Sequence, residues 1–115
     1  MSKESGIQNN LEFIQVASID EIPPGERLLI EIDHTPIVLF NIAGSLFALL
    51  DICSHGDAPL GEGDLENEFE ISCPRHGAHF DVRTGKALTY PAVKDVQSFP
   101  VRLIGRNIEI GFPNP

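Results

Sequence analysis

The sequence predicts an all-β domain, an antiparallel sandwich or barrel, on three observations. No stretch of ten residues sustains a 3.6-residue apolar period, so helix has no amphipathic face to build on. The apolar runs are short and evenly spaced, and the stretches between them draw on 10 glycines and 9 prolines. A chain of 115 residues, 42% of them hydrophobic, holds enough apolar material for one core and too little length for a second domain, so residues 1–115 are read as a single domain.

The elements follow in order. Residues 1–10 are polar, without periodicity, and are expected to fray. Phe13, Ile14 and Val16 mark a first strand. In Ser18-Ile19-Asp20-Glu21-Ile22-Pro23-Pro24-Gly25 the prolines allow one helical turn at most. Residues 27–32 end in Ile30-Glu31-Ile32, the alternation of a half-buried strand. His34-Thr35-Pro36 is expected to connect tightly into residues 37–40, and Asn41-Ile42-Ala43-Gly44 to turn into residues 45–50. Residues 68–72 and 96–103 read as later strands, Arg106-Asn107 as a turn before residues 108–110, and residues 112–115 as a loose tail.

Charge narrows the partners. Seventeen acids against eight bases give a net charge of -9, which repels phosphate backbones and anionic lipid surfaces. Nucleic acid and membrane are therefore not expected, whereas a protein with a basic face is. Glu62, Asp64, Glu66, Glu68 and Glu70 recur on every second residue, so an extended strand would align them on one solvated face. A turn at Glu66-Asn67 would break that stripe. The opening MSKESGIQNN carries no charged-then-apolar leader, and the longest apolar stretch is interrupted by Asn41, Gly44 and Ser45. A cytoplasmic address with reduced thiols is the expectation.

The chemistry gathers around the two cysteines. Asp51-Ile52-Cys53-Ser54-His55 gives Cys-x-His, Cys73-Pro74-Arg75-His76 gives Cys-x-x-His, and 17 residues separate His55 from Cys73. A Cys53–Cys73 disulfide would leave both histidines unexplained and conflicts with a reducing compartment. A structural zinc accepts this donor set, but common zinc spacings pair like with like, and here each loop pairs unlike ligands. A [2Fe–2S] cluster suits mixed loops, since each can give a thiolate to one iron and an imidazole to the other. Four thiolates leave an oxidised cluster a dianion, whereas two thiolates and two neutral imidazoles leave it uncharged. Adding an electron is then easier, and potentials rise into a window of roughly -150 to +300 mV.

Cys53-Ser54-His55 and Cys73-Pro74-Arg75-His76-Gly77 together resemble the Rieske cluster signature. Downstream, Phe80-Asp81-Val82-Arg83-Thr84-Gly85-Lys86-Ala87, Pro91 and Phe99-Pro100-Val101 resemble the small ferredoxins of bacterial aromatic-ring-hydroxylating dioxygenase systems. Similarity is most specific over residues 45–101. The resemblance implies a Rieske fold, with a β-sandwich or barrel base and a two-loop cluster-binding subdomain over residues 51–92. It implies that Cys53 and Cys73 hold a buried iron and that His55 and His76 hold an outer one near the surface. The function implied is one-electron transfer, without catalysis of its own, from a flavin-dependent reductase to a terminal non-haem iron oxygenase. Docking would be transient, at the His55/His76 tip, and the carrier a monomer. Similar small Rieske proteins also occur as nitrite reductase small subunits and in association with iron–sulfur assembly, and a zinc-stapled binding or redox-sensing module is the alternative of a different class.

Departures from respiratory Rieske proteins bear on potential. Their extra loop cysteines fall here at Ala58 and Arg75, and their sulfur-binding hydroxyls at Ala78 and Phe80. Donors to sulfur stabilise the reduced state, so their loss predicts a potential near roughly -150 mV and below zero. His79 is expected to be a surface residue or to lie just outside the ligand set, His34 to sit in a turn, and Gly77 and Gly56 to let amides approach the sulfides; the family resemblance implies that Pro91-Ala92 form a third loop covering the site.

Overall fold

Four consecutive apolar residues, Ile37 to Phe40 in sequence, can all be buried only in a strand covered on both faces. The computed structural model, which describes residues 11–53, 58–75, 77–89 and 94–113, buries all four in this way. Its strands in chain order are β1 (Leu11–Ser18), β2 (Arg27–Ile32), β3 (Thr35–Ile42), β4 (Ser45–Leu50), β5 (Leu65–Asn67), β6 (Glu70–Ser72), β7 (His79–Asp81), β8 (Ser98–Phe99), β9 (Val101–Ile104) and β10 (Asn107–Pro113). Every pairing is antiparallel, in three sheets ordered β1-β10-β9, β2-β3-β4-β8 and β5-β6-β7. Short 3₁₀ turns at Ile19–Glu21 and Leu60–Glu62 are the helical elements of the described residues. The all-β expectation holds.

The central sheet separates two cores. Ile37 and Leu39 point to one side, packing with Ile22, Phe99, Ile108 and Ile110 against the β1-β10-β9 sheet. Val38 and Phe40 point to the other, joining Cys53, Leu60, Ile71, Cys73, Phe80 and Val82. Alternation along one strand thus feeds both cores. Each fully buried aliphatic or aromatic side chain contributes on the order of 1.5–3 kcal/mol.

Turn positions differ from the sequence reading, each for a local reason. The first hairpin reverses at Asp33-His34, both at positive φ (50° and 66°), and not at His34-Thr35-Pro36. Thr35 and Pro36 lie inside β3, opposite Ile32 and Glu31. The next hairpin turns at Ala43-Gly44 (φ 54° and 95°), which leaves Asn41 in the strand and buried. There Asn41 Nδ2 donates to the Ile22 carbonyl at 2.8 Å and its Oδ1 accepts from the Gly44 amide at 2.8 Å, so a turn-type residue is satisfied in a core. The acidic hairpin reverses at Glu68-Phe69, not at Glu66-Asn67, and its second strand starts at Glu70. Glu66 and Glu70 thus stand on opposite arms, and the alternating carboxylates do not form one stripe. Residues 96–103 are not one strand, because Pro100 separates β8 from β9 and moves the chain between sheets. The last hairpin turns at Gly105-Arg106, so Asn107 opens β10. Phe112 and Pro113 are not a loose tail: Pro113 pairs with Leu11, and the Phe112 ring stacks on Phe99 with centroids 5.7 Å apart. Residues 1–10, 114 and 115 lie outside the described residues.

Candidate metal centre

The first cysteine follows directly from the end of β4. The Asp51 amide donates to the Pro36 carbonyl at 2.9 Å, which extends the β4 pairing past the strand and aims the chain outward. Ile52 is exposed, Cys53 is only 2% exposed, and the Cys53 amide donates to the Ala58 carbonyl at 2.9 Å. The second cysteine follows β6 in the same manner. The Cys73 amide donates to the Ala78 carbonyl at 2.7 Å, and Cys73 too is 2% exposed. Each cysteine is therefore tied through its amide to the alanine five residues on, in two loops of equal span, and both thiols belong to the same buried cluster.

Positions 55 and 76 fall in sequence between these tied ends. His55 and His76, with Gly56, Pro91 and Ala92, lie outside the described residues. Among the described residues the cysteines form no disulfide and no three Cys, His, Asp or Glu side chains gather as a metal site. What is described fits half of a mixed four-ligand set: two thiols shielded from water, on separate loops, at the edge of an apolar core. Soft sulfur donors of this kind suit iron–sulfide or zinc, not magnesium or calcium.

The segment between the loops holds them together. The Gly61 amide donates to Asp51 Oδ1 at 2.5 Å, and Arg27 Nη1 of β2 donates to the Gly61 and Gly63 carbonyls at 2.8 and 2.7 Å. Burial pushes the Asp51 carboxyl up, with the Gly61 amide opposing and Glu62 adding repulsion. A Cβ on Gly63 would stand 1.7 Å from the Ser72 carbonyl oxygen, so only glycine lets this segment back onto the residue before Cys73. The Ser72 amide donates to the Asp64 carbonyl at 2.9 Å. On the far side, Gly85 sits at φ 81°, and a Cβ there would come within 1.9 Å of the Val96 carbonyl oxygen. The Val96 amide donates to Gly85 O at 2.7 Å and the Ala87 amide to Asp95 Oδ1 at 2.9 Å, anchoring both flanks of residues 90–93.

The remaining sequence candidates are placed as follows. Ala78 and Phe80 are fully buried and have no hydroxyl, while Arg75 is exposed. The Gly77 amide donates to the Cys73 carbonyl at 2.9 Å, so its engagement is with the loop backbone and its φ of 76° reverses the chain. His79 is half-buried on β7, with Nδ1 against Glu70 Oε2 of β6. That contact, then the Asn67 amide, holds the Glu70 carboxyl below the usual carboxylate range. His34 is exposed in its turn, 3.5 Å from Glu31. Sequence reasoning missed Arg27, Asp51, Gly61 and Gly63. The pair Gly61-x-Gly63 was a visible signal of close backbone approach, but Arg27 had none, since it meets its carbonyls across 34 and 36 residues.

With this geometry in place, similarity to known proteins is informative. The family described as Rieske [2Fe-2S] domain matches residues 12–100. The chain is 41% identical over 101 residues to the 3-phenylpropionate/cinnamic acid dioxygenase ferredoxin subunit of Shigella flexneri, covering 87% of this chain and 93% of that one. Among solved structures it is similar to the ferredoxin of carbazole 1,9a-dioxygenase from Nocardioides aromaticivorans IC177, with TM-score 0.80 and 32% identity over 85% of this chain and 95% of that one. A ferredoxin solved in complex with the reduced oxygenase of carbazole 1,9a-dioxygenase is similar at TM-score 0.80 and 25% identity, covering 90% of this chain and 95% of that one.

Proposed function

The chain belongs to the Rieske [2Fe–2S] domain family, and from that premise we propose that it is a one-electron carrier for a terminal non-haem iron, aromatic-ring-hydroxylating oxygenase. The observation that carries the reading is the pair of equal loops that bury both thiols in one apolar cluster. It stands in a chain similar over most of its length to a dioxygenase ferredoxin subunit. The thiols of Cys53 and Cys73 and the imidazoles of His55 and His76 would hold the cluster, in a subdomain of about residues 51–92. When bound, the cluster takes up and releases one electron at a time. The protein's part is to exclude water from the thiols, fix the loop spacing and present the His55/His76 tip to partners.

A flavin-dependent reductase is the donor in this scheme and the oxygenase the acceptor. One tip serving both in turn calls for small, transient interfaces, which a cytoplasmic monomer presents most simply. Glu62, Asp64, Glu66 and Glu68 are exposed on the chain leading to the Cys73 loop, and with the net charge of -9 they favour a basic partner face. Ala78 and Phe80 offer no side-chain donor to sulfur, which supports a potential near roughly -150 mV.

Visible absorbance and electron paramagnetic resonance of the reduced protein test the reading. A red-brown protein with equal iron and acid-labile sulfide and a low average g value is expected; a colourless zinc protein overturns it. His55→Cys and His76→Cys should each lower the potential, and an unchanged potential removes that residue from the ligand set. Transfer to an oxygenase should slow as salt rises, and a rate independent of salt refutes steering by charge.

A further inference from the structure

Residues 61–63 are held from three directions, and one side chain of the base sheet supplies two of the holds. Arg27 opens β2 opposite Phe40 of β3, with its guanidinium 5.4 Å from the Phe40 ring centroid. From there one nitrogen, Nη1, donates to both the Gly61 and the Gly63 carbonyl. These carbonyls belong to a three-residue 3₁₀ turn and its end, where the helix itself offers no acceptor's partner. The Gly61 amide is taken by Asp51, two residues before Cys53. Gly63 backs onto the Ser72 carbonyl, one residue before Cys73. The clamped segment therefore touches the approach to both cysteines.

We propose that Arg27 is a positioning residue for the cluster, setting the separation of the Cys53 and Cys73 loops and adding a fixed positive charge beside them; this rests on the assignment of the cluster above. The direct partners of the guanidinium are neutral carbonyls, so no contact neutralises it outright, although the Asp51 and Glu62 carboxyls at the same segment offset part of its charge. On a chain of net charge -9, whose field opposes the arrival of an electron, a half-buried cation held against this segment from β2 favours the reduced state. Arginine suits the position because its planar fork is preorganised, while a lysine ammonium carries the same charge without the same fixed geometry.

The test uses the cluster-loaded protein and two variants, Arg27→Met and Arg27→Lys. Three readouts are taken: reduction potential, rate of bleaching by an iron chelator, and the urea midpoint of unfolding. Arg27→Met should bleach at least tenfold faster, as expected when an outer-shell support of a metal site is lost, and its potential should fall. Arg27→Lys should keep a potential near that of the parent yet bleach at an intermediate rate. A merely structural arginine would move the urea midpoint and leave the potential where it was, so that result overturns the proposal. Should Arg27→Met fail to fold, Arg27→Lys decides: bleaching as slow as the parent's overturns the two-carbonyl clamp. A parent protein without the visible bands overturns the cluster assignment itself, whereas a banded parent with indistinguishable variants overturns only the role of Arg27.

Discussion

Replacing Gly63 by alanine isolates one physical cause. Its backbone sits at φ -78°, ψ 174°, a conformation any residue adopts, so Ala brings no torsional strain. The added Cβ would nevertheless lie 1.7 Å from the Ser72 carbonyl oxygen, a backbone atom that no rotamer can move. To restore an ordinary contact the two segments must part by about 1.5 Å. That opens the 2.9 Å bond from the Ser72 amide to Asp64 O beyond hydrogen-bonding range, beside a buried Ser72. Overpacking costs about 1–3 kcal/mol and a stranded buried amide about 1–3 more, so a loss near 4 kcal/mol is expected. Because Ser72 precedes Cys73, cluster content should fall together with stability. Gly105→Ala is the control: its φ of 62° strains an alanine, but nothing lies within 4 Å, so it should cost only about 1–2 kcal/mol and leave cluster content intact. Urea unfolding followed by circular dichroism, with iron and sulfide assayed per chain, measures both. A Gly63→Ala protein within about 0.5 kcal/mol of the parent and fully loaded would refute the close-approach argument.

Three further outcomes follow from other parts of the fold. Ala43 occupies the first central position of a hairpin turn at φ 54°, so Ala43→Asn should stabilise by about 0.5–1 kcal/mol in thermal or urea unfolding, with no change in visible spectrum. Phe112→Ala removes the stack on Phe99 and should cost about 2 kcal/mol; no loss would return the C-terminal end to the status of a dispensable tail. Hydrogen bonds from His79 and Arg83 hold Glu70 and Asp81, respectively, below their ordinary 4.5 and 3.8. The stability they contribute is complete above those values and is lost as pH falls through the lower folded ones. The urea midpoint should therefore drop below about pH 4.5, and less steeply in Arg83→Met, where Asp81 loses the guanidinium and keeps only its backbone donors; equal slopes in the two proteins would exclude the Arg83–Asp81 side-chain pair as a source.

The cysteine half of the candidate site, two thiols on two short loops, was legible because it is written in residue type and local spacing. Cys53 and Cys73 need no tertiary knowledge to be assigned to separate loops, while His55 and His76 lie outside the described residues; the all-β architecture followed from short runs between glycines and prolines. Turn positions were less legible: two of the hairpins reverse on paired positive-φ residues, Asp33-His34 and Ala43-Gly44, and of these only Gly44 takes that conformation without cost, so residue type did not single the pairs out. Asn41 illustrates the limit: its side chain reads as a turn former, but a core carbonyl 19 residues away made it a buried strand residue. Phe112 reads as the start of a tail until Phe99 is brought beside it.

Sequence alone determined the fold class, the two cysteine loops and the acidic character of the surface, because each depends on neighbours within a few residues. Only the tertiary structure decided that β3 serves two cores, that both thiols share one of them, and that Arg27 grips the segment between the loops. Those outcomes depend on which distant backbone carbonyls come within 3 Å of a guanidinium, and on which glycine must face Ser72. Chain closure over more than thirty residues sets such distances, and local pattern carries no record of it.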